Sequence, residues 1–239
     1  MSAAGVRPVD VLSAGAAKGI VGAIAGSFER ATGAGIAAIF DAAGAIRERL
    51  QAGSACDVLI STAPMLEALA ASGGVDGSSV ALIGRVATGI AVPEGEPVPR
   101  VGNREELCAC LLGASALYCP DTARATAGIH FVDVLDALRI RDEVASKLHA
   151  YPSGAHAMAA MAADARDAPA GAVGCTQVTE ILYTPGVTLV GPLPPPFALA
   201  TLYSAAVASR AQDPDRARTF VAMLTGPSAL ALRSAGGFE

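Results

Sequence analysis

Tryptophan is absent from the 239-residue chain, and aromatic residues of all kinds make up only 4%. A core must therefore be built mainly from Ala, Val, Leu and Ile, and hydrophobic residues, at 52%, are abundant enough for it. Charge is scarce too: 16% of residues carry one, with 17 Lys and Arg against 22 Asp and Glu, a net charge of −5. That balance gives no basic face for a phosphate backbone, which excludes a nucleic-acid partner. Apolar runs are broken by Gly, Pro or charge well short of the ~20 residues a membrane-spanning helix needs, so membrane insertion is not expected. No basic segment followed by an apolar one precedes the first strand, and a cytoplasmic location is the expectation.

Cysteine is present in an odd number, five, and Cys108 and Cys110 are spaced C-x-C rather than C-x-x-C. Reduced thiols serving as small hydrophobes account for such usage. No second Cys or His pair at ligand spacing accompanies them, so neither a metal nor any cofactor is expected.

What the chain does contain is alternation. Val9-Asp10-Val11-Leu12 reads as a strand that ends in Ser13-Ala14-Gly15-Ala16-Ala17 and turns into a helix from Lys18 through Phe28. Strand 35–40 with helix 43–52, then strand 57–61 with a helix near Pro64, repeat the unit, and Ser61 or Thr62 is placed to cap that helix. This order calls for a parallel sheet with right-handed crossovers. Near Gly84 the texture changes to a longer strand (85–92) and a loop rich in Pro and Glu. A helix (105–112), a strand (116–119), a small-residue loop (120–128) and a helix (129–138) follow. Strand 147–151, helix 155–165 and strand 171–175 complete a second α/β unit. Beyond them come strand 187–190, the rigid Gly191-Pro192-Leu193-Pro194-Pro195-Pro196, strand 201–207 and a helical tail opened by Asp213-Pro214. The breaks near Gly84 and Pro192 predict an α/β protein of two lobes. The first comprises residues 1–84 plus 192–239 and the second, inserted, residues 85–191, with a hinge and a central cleft suited to a small ligand.

Several segments, in order, carry a family resemblance: Leu12-Ser13-Ala14-Gly15-Ala16, Asp41-Ala42-Ala43-Gly44-Ala45, Cys56-Asp57-Val58-Leu59-Ile60-Ser61, Asp121 to Gly128, Gly171-Ala172-Val173-Gly174 and Gly237-Phe238. Together they resemble the type II periplasmic solute-binding fold, in its molybdate-binding branch, over nearly the whole chain. The resemblance implies a small anionic ligand. Molybdate binders usually supply serine hydroxyls from the first loop and the second helix start, and a tyrosine after the last middle-lobe strand. Here those places fall at Gly15 or Ala16, Ala42 or Ala43, and Gly174, which leaves backbone N–H groups as the donors. Thr179-Glu180-Ile181-Leu182 and Pro185-Gly186-Val187 look similar to a branch that includes aconitate isomerase, which moves a double bond in a small tricarboxylate.

That likeness implies a cofactor-independent isomerase transposing the C=C bond of an unsaturated di- or tricarboxylate. The alternative is a non-enzymatic solute-binding protein of a molybdate or oxyanion transporter, with a permease as its partner. His130, at the start of a middle-lobe helix, suits proton transfer at neutral pH, or merely packs there. Glu180 is the second acid/base candidate, or a helix-surface glutamate. Lys18 and Arg124 could pair with ligand carboxylates, or be solvated surface charges. Thr62, Thr126, Ala127 and Gly128 lie at helix starts, as do Gly15, Ala16, Ala42 and Ala43; Cys175 and Gln177 flank the presumed site, where Cys175 is a ligand contact or an inert buried thiol. His149, His156 and Asp41 are weaker candidates.

Overall fold

The computed structural model describes residues 6–166 and 170–239. The chain divides into two compact units, one running to Arg85 and resuming at Leu202–Glu239, the other Val86–Thr201.

The first unit opens with β1 (Val9–Ala14), a 3-10 turn (Gly15–Ala17) and α1 (Lys18–Thr32), followed by β2 (Ile36–Asp41), α2 (Ala43–Gln51), β3 (Val58–Thr62) and α3 (Ala63–Ala71). Strand β4 (Ala81–Pro93) leads into the second unit. There the chain forms α4 (Arg104–Gly113), β5 (Leu117–Pro120), α5 (Thr126–Leu138), the short α6 (Arg141–Val144), β6 (Leu148–Tyr151) and α7 (Gly154–Asp164). It continues through β7 (Val173–Gln177), the five-residue α8 (Val178–Leu182) and β8 (Val187–Pro192). Strand β9 (Ala200–Val207) returns to the first unit, which ends with α9 (Pro214–Thr225) and α10 (Leu230–Ala235).

In the first unit β1 lies between β2 and β3, all parallel, and β9 runs antiparallel along β3. Leu12, Leu59, Ile46 and Leu66 pack on the face covered by α2 and α3. Elsewhere in the unit, α1 meets α9 through Phe28 and Phe220, edge to face with ring centroids 5.2 Å apart. The entry to β1 and β3 is pinned by Asp57. Its buried carboxylate accepts the N–H groups of Asp10 (2.9 Å) and Gln212 (2.7 Å) and pairs with Arg7 (2.9 Å). Burial pushes this carboxyl up, but those donors outweigh it and hold Asp57 below the usual carboxylate range.

In the second unit β5 lies between β6 and β7, all parallel, while β4 runs antiparallel to β7 and to β8. Alternation along the strands separates two faces. Leu117, Cys119, Val173, Cys175 and Ile90 pack with Phe131, Val134 and Leu135 of α5. Tyr118 and Ala91 face Met158 and Met161 of α7 on the other side. Gly174 sits on this second face, buried, where any Cβ would run into the Met158 side chain. Close helix-to-strand packing therefore accounts for the glycine.

The structure corrects three expectations. Residues 192–201 belong to the second unit, because Leu193 and Phe197 are buried in its core, so the chain returns near Thr201 rather than Pro192. Helix α5 begins at Thr126 rather than 129, taking Ala127 and Gly128 from the expected loop into its first turn; the carbonyls of Pro120 and Asp121 come so close that only a glycine fits at 128. Helix α8 occupies residues that sequence patterning left unassigned. No helix among the described residues is long and apolar enough to cross a membrane.

Candidate functional site

In a parallel sheet every strand ends at the same edge, and the helices that follow start there, N–H groups foremost. In the first unit β1, β2 and β3 end this way at Ala14, Asp41 and Thr62. In the second, β5, β6 and β7 end at Pro120, Tyr151 and Gln177. The sequence-predicted residues Gly15, Ala16, Lys18, Ala42, Ala43 and Thr62 are thereby gathered at one edge of the first sheet. Thr126, Ala127, Gly128 and Gln177 are gathered at the corresponding edge of the second.

Capping separates the helix starts. Among helices of eight residues or more, α4, α7 and α9 carry side-chain caps: Asn103, Ser153 and Asp213 each accept a first-turn N–H. Helices α1, α2, α3 and α5 carry none; their N-cap residues are Ala17, Ala42, Thr62 and Ala125. Thr62 occupies the expected cap position, but its hydroxyl accepts no helix N–H. The uncapped starts are those that follow β1, β2, β3 and β5 at the strand-end edges. Helices α4 and α9, which follow the antiparallel strands β4 and β9, are capped. A row of helix starts without side-chain acceptors presents positive dipole ends and N–H donors suited to an anion.

Helix α7 is the instructive exception, since it follows β6 at the same edge but is closed. Glu180 lies opposite its start, fully enclosed rather than on a helix surface as one sequence reading has it. Its carboxyl accepts the backbone N–H groups of Gly154, Ala155 and Gln177 and the Thr176 hydroxyl at 2.5 Å. Burial pushes this carboxyl above the ordinary glutamate range, against the pull of those hydrogen bonds. A Cβ on Gly154 would overlap both Thr176 Oγ1 and Glu180 Oε2, so the absence of a side chain there is what admits the carboxyl. Glu180 is thus committed to a structural task and is not presented to a ligand.

His130 stands on α5, half-buried, with Nε2 2.8 Å from the Phe197 carbonyl oxygen. A carbonyl can only accept, so Nε2 carries the proton and Nδ1 is the basic nitrogen of the neutral ring. Arg124 is tied to Asp121 in the turn before α5: Nε lies 3.0 Å from Oδ2, while Asp121 Oδ1 accepts the N–H groups of Ala123 and Arg124. These bonds, the Ala123 N–H first, hold Asp121 below its usual range. Lys18 is exposed on the first turn of α1. Cys175 is fully buried, and burial pushes its thiol well up, so it is an inert core group rather than a ligand contact. His149 lies exposed on the edge strand β6, and His156 bonds back to Ser153 at 2.8 Å. Asp41 accepts the Ala42 N–H at 2.8 Å and meets Arg49 at 3.4 Å.

Gln177, on the α5 face with Cys175, is buried; its Nε2 donates to Thr201 Oγ1 at 3.3 Å, while Oε1 has no partner. Among the described residues two further buried side-chain atoms lack partners, Thr88 Oγ1 and Thr179 Oγ1. Thr88, Thr179 and Thr201 were not singled out by sequence reasoning. The polar run Thr176-Gln177-Val178-Thr179-Glu180 is a signal for Thr179, while Thr88 and Thr201 carry none in the sequence.

A separate pocket of about 450 Å³ in the first unit lies at the opposite strand edge. Gly53 and Gly73, just past the ends of α2 and α3, line it beside Asp57. Arg7 and Arg210 line it as well, so its charges are of both signs.

Comparison with known proteins identifies the fold and the family. A curated aconitate isomerase of a Pseudomonas species is 27% identical over 235 residues, spanning 96% of this chain and 86% of that one. The fold is that of the Azotobacter vinelandii periplasmic molybdate-binding protein (TM-score 0.77, 18% identity, 97% and 98% of the two chains covered). It is also that of the sulfate-binding protein SubI of Mycobacterium tuberculosis (TM-score 0.73, 14% identity, 98% and 86% covered). The profile described as bacterial extracellular solute-binding protein matches residues 9–239, and the chain belongs to that family.

Proposed function

We propose that the protein binds a small organic carboxylate through the uncapped helix starts at its strand-end edges. The observation that carries this reading is the division of the long helices: α1, α2, α3 and α5 lack side-chain caps where they follow parallel strands, whereas α4, α7 and α9 are capped. Leaving a start uncapped forgoes roughly 1 kcal/mol of stability. Such a cost, met at the strand-end edge of each unit, fits helix starts whose acceptor comes from a ligand. Backbone donors accept carboxylates as readily as inorganic oxyanions, and the small residues Gly15, Ala16, Ala42, Ala43 and Ala127 leave room for a ligand with a carbon skeleton.

A second reading, transposition of a double bond in an unsaturated di- or tricarboxylate, is favoured by the similarity to aconitate isomerase. In that reading His130 Nδ1 removes a proton from the carbon between the double bond and a carboxylate. The electron pair moves into a dienolate held by helix-start N–H groups, and the proton returns at the far end of the system. Glu180, enclosed by its four donors, takes no part. Under the inorganic alternative, the protein carries molybdate or a similar oxyanion to a permease.

One experiment separates the three. Purified protein is melted with citrate, trans-aconitate, succinate, molybdate and sulfate, and trans-aconitate is also followed by NMR in deuterated water. A carboxylate binder is stabilised by an organic acid, as mass action requires, without exchange. An isomerase also shows deuterium entering the allylic position. Stabilisation by molybdate or sulfate alone would sink both organic readings.

A further inference from the structure

Two of the unpartnered polar atoms of the second unit belong to residues paired across one ladder. Thr88 and Gln177 are register partners across the β4–β7 ladder. They share a face with the next pair, Ile90 and Cys175, which belongs to the core under α5. Gln177 is also the last residue of β7, at the strand-end edge from which α5 begins one strand away. The pair therefore stands on the same face and at the same edge as an uncapped helix start. Both side chains are at least nine-tenths buried, at 0% and 3% exposure, and Thr88 Oγ1 and Gln177 Oε1 each lack a partner.

Buried polar atoms are nearly always paired, and an unpaired one destabilises the fold. Several groups around the pair already have partners. Thr88 N–H donates to the Leu199 carbonyl, the Thr88 carbonyl accepts from Leu193, and Gln177 Nε2 donates to Thr201. The atoms of the pair without a partner are an amide oxygen, which can only accept, and, opposite it in the ladder, a hydroxyl that can do either. A carboxylate or molybdate oxygen offers no proton to Gln177 Oε1. An alcohol hydroxyl does: it donates to Oε1 and accepts from the Thr88 hydroxyl with the same oxygen.

We infer that Thr88 and Gln177 form a hydroxyl-recognition subsite, so that the organic acid bound by this protein carries an alcohol group. This rests on the carboxylate reading and narrows it to hydroxy acids. trans-Aconitate, which has no hydroxyl, would fill the anion positions and leave Oε1 unpaired.

The test uses two matched pairs of acids that differ by one hydroxyl, citrate against tricarballylate and malate against succinate. Each is titrated calorimetrically into the wild-type chain and into Thr88→Val and Gln177→Met. The hydroxylated member of at least one pair should bind about tenfold tighter or more, since a site built for a hydroxyl strongly rejects the analogue lacking it. In both variants that preference should fall toward unity while the deoxy acid binds as before. The unliganded Thr88→Val protein should also melt about 2–4 °C higher, because an unpaired buried hydroxyl has been removed. Binding of both pairs without preference, or a preference that survives both substitutions, overturns the inference and leaves the carboxylate reading standing. A Thr88→Val protein that melts lower overturns it as well, showing that the hydroxyl is already satisfied within the fold. If none of the four acids binds, both readings fall together.

Discussion

Helices α5 and α7 begin at the same edge of the same parallel sheet, one on each face, yet their first turns are treated oppositely. At α7, Ser153 caps the start and the Glu180 carboxyl is held by the next backbone donors. At α5, Ala125 stands at the cap position with no acceptor, and small residues follow. One helix start is closed by the protein's own side chains; the other has no side-chain acceptor. The contrast shows that side chains close one helix start at this edge and not the other.

The harshest way to break the comparison is to deny Glu180 its place. Gly154→Ala puts a methyl group onto Thr176 Oγ1 and Glu180 Oε2, and a loss of about 3 kcal/mol is expected in urea unfolding. Glu180→Ala, which strands buried N–H groups at the α7 start, should cost about 2–3 kcal/mol. Added formate should restore part of that loss by reoccupying the vacated position. If formate does nothing, the α7 start is not an anion site in waiting.

Glu180→Gln sharpens the electrostatic side. Burial raises the folded-state pKa of this carboxyl above the ordinary 4.5. Its contribution to stability is therefore complete below pH 4.5 and declines as pH climbs through the raised value. A glutamine has no such titration. The melting temperature of wild type relative to Glu180→Gln should therefore fall as pH rises above 4.5; a constant difference would mean that the carboxyl is not perturbed.

Ala125→Ser is the mildest test. The cap residue already has extended geometry, φ −101° and ψ 128°, so a serine should stabilise the unliganded fold by about 1 kcal/mol. The matching change at an already capped start, Asn103→Ser, should do close to nothing. Equal effects at the two positions would erase the distinction between open and closed starts.

Most of the fold was legible in the sequence because its signals are local. Strand β1 and helix α1 follow from a β-branched run that changes period at small residues, and Asp213-Pro214 marks the start of α9 with a cap and a first-turn proline. The α/β order and the family resemblance placed Gly15, Ala42 and Ala127 at helix starts. What stayed hidden depends on distant partners. Glu180 looks like a surface residue until Gly154, 26 positions earlier, is brought beside it. Thr88 is unremarkable in its strand until the antiparallel register sets it against Gln177. The return to the first unit was misplaced because the proline run near 192 resembles a boundary, whereas Leu193 and Phe197 beyond it are core residues.

The most direct measurement of the central claim is a calorimetric titration of the purified protein with citrate and, separately, with molybdate. The account predicts saturable one-to-one binding of the organic acid, with affinity reduced when Ala125→Asp places a carboxylate at the α5 start, and weak or no binding of molybdate. Tight binding of molybdate with none of citrate, or citrate binding indifferent to Ala125→Asp, would contradict it.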